Sequence, residues 1–134
     1  MKKIVLLSVL LGYFITLSGS LKAQKTLATT SDWVISYTCQ YSHNSKYTES
    51  CTLSLYDVTF TLKRHPSNFT TSDMSFNRFY VYRKRQYCDK YASFLDEAAK
   101  NNFILKSGQS VSIKITTAVP SGNACPSDWG YKVN

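Results

Sequence analysis

The residues with the clearest capacity for binding chemistry lie close together between positions 78 and 87. Cations alternate with tyrosines here, and the candidate binding residues are Arg78, Tyr80, Tyr82, Arg83, Lys84 and Arg85. Guanidinium and ammonium groups bind phosphate or carboxylate, and exposed tyrosine rings stack on bases or sugar rings. The same composition also suits a protein interface. An ordinary edge strand, on which charged side chains prevent aggregation, is the simpler alternative.

Catalytic chemistry has weaker support in the sequence. His43 and His65 are the two histidines, and a histidine pair with a lysine can supply the general base and acid of a small secreted nuclease. No G-x-S-x-G or H-E-x-x-H motif occurs. We therefore expect no catalytic residues, and no metal or cofactor. A secreted nuclease or toxin remains the alternative.

Four cysteines, Cys39, Cys51, Cys88 and Cys125, all follow the apolar N-terminal stretch. In an exported chain an even number of cysteines indicates disulfides rather than thiols. The twelve-residue spacing of the first two favours a staple across a hairpin, which leaves Cys88 to pair with Cys125. Sequence alone cannot choose among the three possible connectivities. A zinc site is disfavoured because no C-x-x-C pair is present.

The N-terminus has the layout of a secretory signal peptide. Lys2 and Lys3 precede an apolar run from position 4 to 17, and small or polar residues lead to Ala23. The run is shorter than the roughly 20 residues that a transmembrane helix needs. We expect cleavage after Ala23, no later membrane span, and a secreted or periplasmic product.

Removal of residues 1–23 would leave 111 residues, enough for one domain. The full chain carries 16 basic and 8 acidic residues, and the remaining part carries 13 and 8, a formal charge of +5. A moderate positive charge favours anionic partners such as acidic glycans, cell-surface polymers or acidic proteins. Nucleic acid is a less favoured partner. Plain solubility charge is the alternative explanation.

Residues 24–32 are polar and are expected to be a flexible lead-in to one β-rich domain over residues 33–134. Apolar residues alternate with polar ones over 32–41, 76–87 and 111–116, a period of two that is typical of half-buried strands. The run 50–64 changes parity near Tyr56, which predicts a bulge or bend there. Residues 42–49 and 120–128 are expected to be loops. A short last strand is expected over 129–133.

Arg83 and Arg85 share the parity of the apolar Phe79, so we expect the strand to leave the core near Arg83 or to be twisted at an edge. Asp89 is a plausible cap for a following helix over about 89–102, in which Tyr91, Phe94, Leu95 and Ala98 have helical spacing. Asp96 and Lys100 would then form an i,i+4 pair.

The resulting expectation is a mainly β fold, an antiparallel sandwich or open barrel of about five or six strands with one short helix and two disulfides. An α+β domain is the alternative. The expected function is non-catalytic binding of an anionic partner through the cation-rich strand. An inhibitor or structural partner of one protein is a further alternative. The sequon at Asn68 matters only in a eukaryotic host, and the oligomeric state stays open.

Overall fold

The computed structural model describes residues 23–67, 72–86, 88 and 93–134. The predicted signal peptide before Ala23, the Asn68 sequon and residues 89–92 of the expected helix lie outside the described residues. Seven strands follow one another along the chain: β1 (Lys25–Thr29), β2 (Trp33–Thr48), β3 (Cys51–Arg64), β4 (Met74–Arg85), β5 (Phe94–Leu105), β6 (Ser110–Pro120) and β7 (Gly130–Val133).

The strands form two antiparallel sheets, which confirms the expected mainly β fold. Sheet A has the strand order β1-β2-β3-β6 and sheet B the order β5-β4-β7. The turn between β5 and β6 carries the chain from one sheet to the other, and Gly108 adopts a positive φ of 77° within it. Within the described ranges no helix is long and apolar enough to cross a membrane.

The core lies between the two sheets and receives the apolar face of every long strand. Its largest fully buried side chains include Phe60 and Leu62 from sheet A and Phe79 from sheet B. Trp129, which precedes β7, packs edge-on against Phe60 with ring centroids 4.7 Å apart. Burying aromatic and branched side chains removes apolar area from water, which supplies most of the stability of such a domain.

The expected helix over 89–102 is wrong for the residues that the structure describes, because strand β5 occupies Phe94–Leu105. β5 pairs with β4 from Arg85↔Phe94 to Met74↔Leu105. Helix propensity is a weak prior that tertiary pairing overrides, and the long β4 offers a continuous partner. Leu95, expected to be buried, is 48% exposed.

The expected loop over 42–49 is also wrong, since β2 continues to Thr48 and turns directly into β3. Register shifts between Tyr41 and His43, and between Lys46 and Thr48, accommodate the pairing. The expected irregularity near Tyr56 therefore occurs, but it lies on the partner strand β2. Both faces of β2 are exposed in this part of the hairpin, so selection for alternating polarity is absent and the strand pattern of β2 is invisible in the sequence.

The segment expected to be a flexible lead-in contains strand β1. Lys25 pairs with Tyr37 and Thr29 with Val34, so β1 is the edge strand of sheet A. The Thr30 hydroxyl accepts hydrogen bonds from the backbone amides of Asp32 and Trp33, which closes the turn into β2. A polar, threonine-rich segment is compatible with an exposed edge strand, because threonine has high β-propensity.

The four cysteines form two disulfides, but the expected pairing is wrong. Cys39 is bonded to Cys125 and Cys51 to Cys88. In the long hairpin, Cys51 lies opposite Thr48 at the turn. Nine residues of strand, about 30 Å, separate Cys39 from that end, whereas a disulfide needs Cα atoms within roughly 7 Å. The bonded Cα pairs are 6.4 Å and 5.7 Å apart.

Candidate binding face

Strand β4 divides the six predicted binding residues between two opposite faces. Successive side chains of a strand point to opposite sides, and Phe79 and Val81 are fully buried in the core. The residues with the other parity, Tyr80, Tyr82 and Lys84, therefore lie on the outer face of sheet B. Arg78 is exposed beside Tyr80, so four of the predicted residues are brought together on one surface.

Three of these side chains form a continuous row along β4. The Arg78 guanidinium lies over the Tyr80 ring, 4.3 Å from its centroid. The rings of Tyr80 and Tyr82 stack with centroids 5.2 Å apart and 23° between their planes. Each contact restricts its neighbour, since stacked rings and a cation over a ring attract one another. The row thus presents a partly ordered set of polar groups rather than freely rotating side chains.

Strand β5 fixes the position of the Tyr80 hydroxyl. Glu97 pairs in register with Tyr82, and its carboxylate accepts a 2.5 Å hydrogen bond from the Tyr80 hydroxyl. This hydrogen bond stabilises the protonated phenol and raises the pKa of Tyr80 above its ordinary value, and the charge of Glu97 acts in the same direction. Arg78 opposes the shift. Tyr80 therefore stays a neutral hydrogen-bonding group at physiological pH.

Strand β7 supplies the space that Tyr82 needs and one further cation. Gly130 pairs with Tyr82, and a Cβ at that position would lie 2.7 Å from the Cε2 and the hydroxyl oxygen of the tyrosine. A glycine thus lets the Tyr82 ring lie close over the β7 backbone. Lys132 pairs with Tyr80 and is exposed. Arg78, Tyr80, Tyr82, Lys84 and Lys132 together are called the tyrosine–cation face below.

The cations of the tyrosine–cation face have no ion-paired acid among the described residues. Among the described residues, the two ion pairs involve Arg83 and Arg85, and neither includes Arg78, Lys84 or Lys132. Arg78 and Lys84 are separated by six residues of β4, which corresponds to about 20 Å. A positive surface of this length matches an extended polyanion better than a single small anion.

The other two predicted binding residues do not belong to this face. Arg83 is only 3% exposed, and its Nε donates a 2.6 Å hydrogen bond to Asp128. Its Nη1 donates to the Thr117 hydroxyl and to the carbonyl of Ala118. The expectation that β4 leaves the core near Arg83 is wrong, because these partners from β6 and from the segment before β7 accommodate the charge inside.

Arg85 extends the same network, and it is part-buried. Its Nε donates a 2.8 Å hydrogen bond to Asp96 of β5, and its guanidinium lies over the Phe94 ring, 4.7 Å from the centroid. Asp96 also accepts a hydrogen bond from Thr117 of β6. The network therefore ties sheet B to sheet A, and its two arginines have a structural role in the fold. The expected helical pair of Asp96 with Lys100 is replaced by the pair with Arg85.

The two histidines are not brought together. His43 pairs with Leu55 in the exposed part of the β2–β3 hairpin, whereas His65 follows Arg64 at the other end. Ten residues of strand separate these positions, about 30 Å. His65 donates from Nε2 to the carbonyl of Thr30. A two-histidine acid–base site is thus not formed, and no cluster of potential metal ligands occurs in the described part of the chain.

Sequence reasoning missed Glu97, Gly130 and Lys132. Glu97 lies in the segment that is expected to be a helix. The pairing of β7 with β4 joins segments about fifty residues apart, so no local pattern reveals that Gly130 and Lys132 lie beside β4. The sequence signal for an exposed Lys132 is its position between the apolar Tyr131 and Val133 in the expected last strand. Comparison of the chain with family models, with curated proteins and with solved structures gives no match.

Proposed function

We propose that this protein is a small exported, non-catalytic binding domain that engages an anionic partner through the tyrosine–cation face. An acidic glycan or another polyanionic polymer is the partner class that fits best. The observation that carries the proposal is the ordered row of Arg78, Tyr80 and Tyr82, flanked by cations without acidic partners among the described residues.

The chemistry of the face supports a polymeric anion. Guanidinium and ammonium groups pair with carboxylate or sulfate groups, and the edges and hydroxyls of tyrosine offer apolar area and hydrogen bonds to sugar rings. Among the described residues, Glu97 of β5 is the acid beside this row, and the Tyr80 hydroxyl donates to it. Three positive charges therefore outweigh one negative charge across a flat sheet surface.

Export is supported by two independent features. The N-terminal 23 residues have signal-peptide composition, and all four cysteines are disulfide-bonded. Disulfides persist in oxidising compartments and are rare in the cytosol. A polyanion-binding domain outside the cell would meet acidic polymers at cell surfaces.

Retention on immobilised heparin, a sulfated polyanion, tests the function. We expect the protein to bind and to elute with salt, because surface charges are screened at high ionic strength. The combined substitution Arg78→Gln, Lys84→Gln and Lys132→Gln should lower the eluting salt concentration clearly.

A matched control removes the same number of charges elsewhere. Lys46, Lys63 and Lys114 are exposed on sheet A, and their combined replacement by Gln changes the net charge equally. We expect this control to elute close to the wild type. If both triple variants elute together, binding depends on net charge alone and the assignment of the face is wrong.

A further inference from the structure

A second place in the molecule holds a positive charge in an unusual environment. Arg64, the last residue of β3, is 4% exposed. Its Nη1 donates hydrogen bonds to two backbone carbonyls, of Ser72 at 2.6 Å and of Leu105 at 2.9 Å. Both acceptors are uncharged, so they satisfy hydrogen bonds without neutralising the guanidinium.

No carboxylate forms an ion pair with Arg64 in the part of the chain that the structure describes. The two ion pairs there are Arg83–Asp128 and Arg85–Asp96, and neither involves Arg64. Taking a charge out of water costs several kcal/mol, by general estimates, unless a counter-charge or a full set of hydrogen bonds offsets the loss. The other buried arginine, Arg83, has such a counter-charge, which makes Arg64 the exception.

Arg64 also lines a cavity. In the described ranges, every side-chain nitrogen or oxygen that is sealed from solvent has a hydrogen-bond partner. The hydrogen bonds of the Arg64 side chain there are made by Nη1. Nε and Nη2 are therefore not sealed from solvent. Arg64 lines a pocket of about 230 Å³ together with Ser31, Asp32, His65 and Met74. The two nitrogens offer the parallel donor geometry that matches the two oxygens of a carboxylate or sulfate.

The walls of the pocket are held in place from several strands. The backbone amide of His65 donates to the carbonyl of Asp32, and the His65 ring donates to the carbonyl of Thr30. These bonds fasten the segment after β3 to the β1–β2 turn. The backbone amide of Arg64 donates to Gln109, which adds the β5–β6 turn. Backbone hydrogen bonds therefore hold the cavity in shape where the β1–β2 turn, the segment after β3 and the β5–β6 turn meet.

We propose that the Arg64 pocket binds an oxoanion, a carboxylate or sulfate group, on the free Nε–Nη2 edge of the guanidinium. The volume admits such a group together with part of a sugar ring, so a free small anion and an acidic substituent of a glycan are the two sources. Asp32 places a negative charge at the rim and limits the affinity. This site is separate from the tyrosine–cation face and does not depend on the function proposed for it.

Titration with sodium glucuronate, a small sugar carboxylate, tests the proposal. Nitrogen-15 NMR at constant ionic strength, with sodium chloride as the balancing salt, should show saturable shifts of the Arg64 Nε signal and of the Asp32 and His65 amides. A second titration with a size-defined heparin fragment distinguishes the polymeric source, which should bind more tightly if the pocket receives a substituent of a longer chain. Absence of saturation with both probes would overturn the proposal.

Three variants make the result specific to the pocket. Asp32→Asn keeps the backbone contacts and should tighten glucuronate binding about three- to tenfold, since it removes a negative charge from the lining of the pocket. Lys63→Gln removes a neighbouring exposed cation and should leave the affinity unchanged. Arg64→Met should abolish the shifts. If Arg64→Met does not fold, the comparison of Asp32→Asn with Lys63→Gln decides. An unchanged affinity of Asp32→Asn for glucuronate would refute the site.

The combined variant with Arg78, Lys84 and Lys132 replaced by Gln separates the two proposals. It should lose heparin retention while keeping the saturable response of the Arg64 pocket to glucuronate. Loss of both responses together would show that a single surface carries all anion binding, which contradicts the separate pocket.

Discussion

The hydroxyl of Tyr80 is the polar group of the tyrosine–cation face whose chemistry the structure defines most closely. Its hydrogen bond to Glu97 favours the protonated phenol, which raises the pKa of Tyr80 above the ordinary value of about 10. For a group whose pKa is raised on folding, the stabilising contribution is fully present below the unfolded value. It is lost as the pH rises through the folded value.

We predict that Glu97→Gln lowers the pKa of Tyr80 towards the ordinary value, because the replacement removes the charge that opposes ionisation. The measurement is a pH titration of the tyrosine Cζ signals by carbon-13 NMR, with Tyr80 assigned by loss of its signal in Tyr80→Phe. Asp57→Asn, which removes an exposed carboxylate bonded to Thr116 on sheet A, is the control. An identical Tyr80 titration in the wild type and in Glu97→Gln would contradict the assignment.

At the scale of a single strand, β4 gives neighbouring cations opposite roles. Lys84 is exposed on the outer face, whereas Arg83 is buried and bonded to Asp128, Thr117 and Ala118. A strand reverses its side-chain direction at every residue. The position of a residue in the alternation therefore decides whether its charge is exposed on the outer face or holds the sheets together.

We predict that Arg83→Gln destabilises the protein by about 2–4 kcal/mol, because it leaves buried polar partners unsatisfied. Lys84→Gln should change the free energy of unfolding by no more than about 0.5 kcal/mol, as is usual for an exposed side chain. Denaturant unfolding of the two single variants measures both effects. Comparable losses in the two variants would mean that β4 does not separate these side chains as described.

The strands that could be predicted from sequence are those with one buried and one exposed face. β6 shows this in the alternation of Val111, Ile113 and Ile115 with polar residues, and β4 shows it in the alternation of the buried Phe79 and Val81 with Tyr80 and Tyr82. Alternation is visible because one face is removed from water and the other is not.

The elements that could not be predicted have partners that lie far away in the chain. β5 carries good helix formers such as Leu95 and Ala98, and only its pairing with β4 makes it a strand. The parity of Arg83 indicates an inward direction. Its counter-charge, Asp128, lies forty-five residues further along the chain, so the local sequence does not show that a charge can be buried there. The Arg64 pocket had no sequence signal, since it forms where three separate connections meet.

For the whole molecule, the disulfides determine much of the stability. We predict that non-reducing peptide mapping finds Cys39 linked to Cys125 and Cys51 linked to Cys88. The exported chain should lack residues 1–23 and weigh about 4 Da less than its reduced form.

In the loop-entropy model, closures of 86 and 37 residues contribute about 4–5 and about 4 kcal/mol. The two loops overlap, so these contributions are not additive.

Removal of the larger closure by the double substitution Cys39→Ser and Cys125→Ser should therefore lower the free energy of unfolding by several kcal/mol, on the order of 4 kcal/mol in that model. Recovery of a peptide linking Cys39 to Cys51 from active protein would contradict the connectivity. Stability unchanged in the double variant would contradict the role assigned to this disulfide.

The nested connectivity also affects how the protein has to be made. A chain exported N-terminus first, as proposed above, would expose Cys39 and Cys51 to oxidants before Cys88 and Cys125 arrive, and oxidation in order of arrival would join the wrong partners. Correct maturation then depends on reshuffling, which takes minutes to hours without an isomerase. The yield of this protein should thus depend on thiol–disulfide isomerase activity in the compartment that receives it.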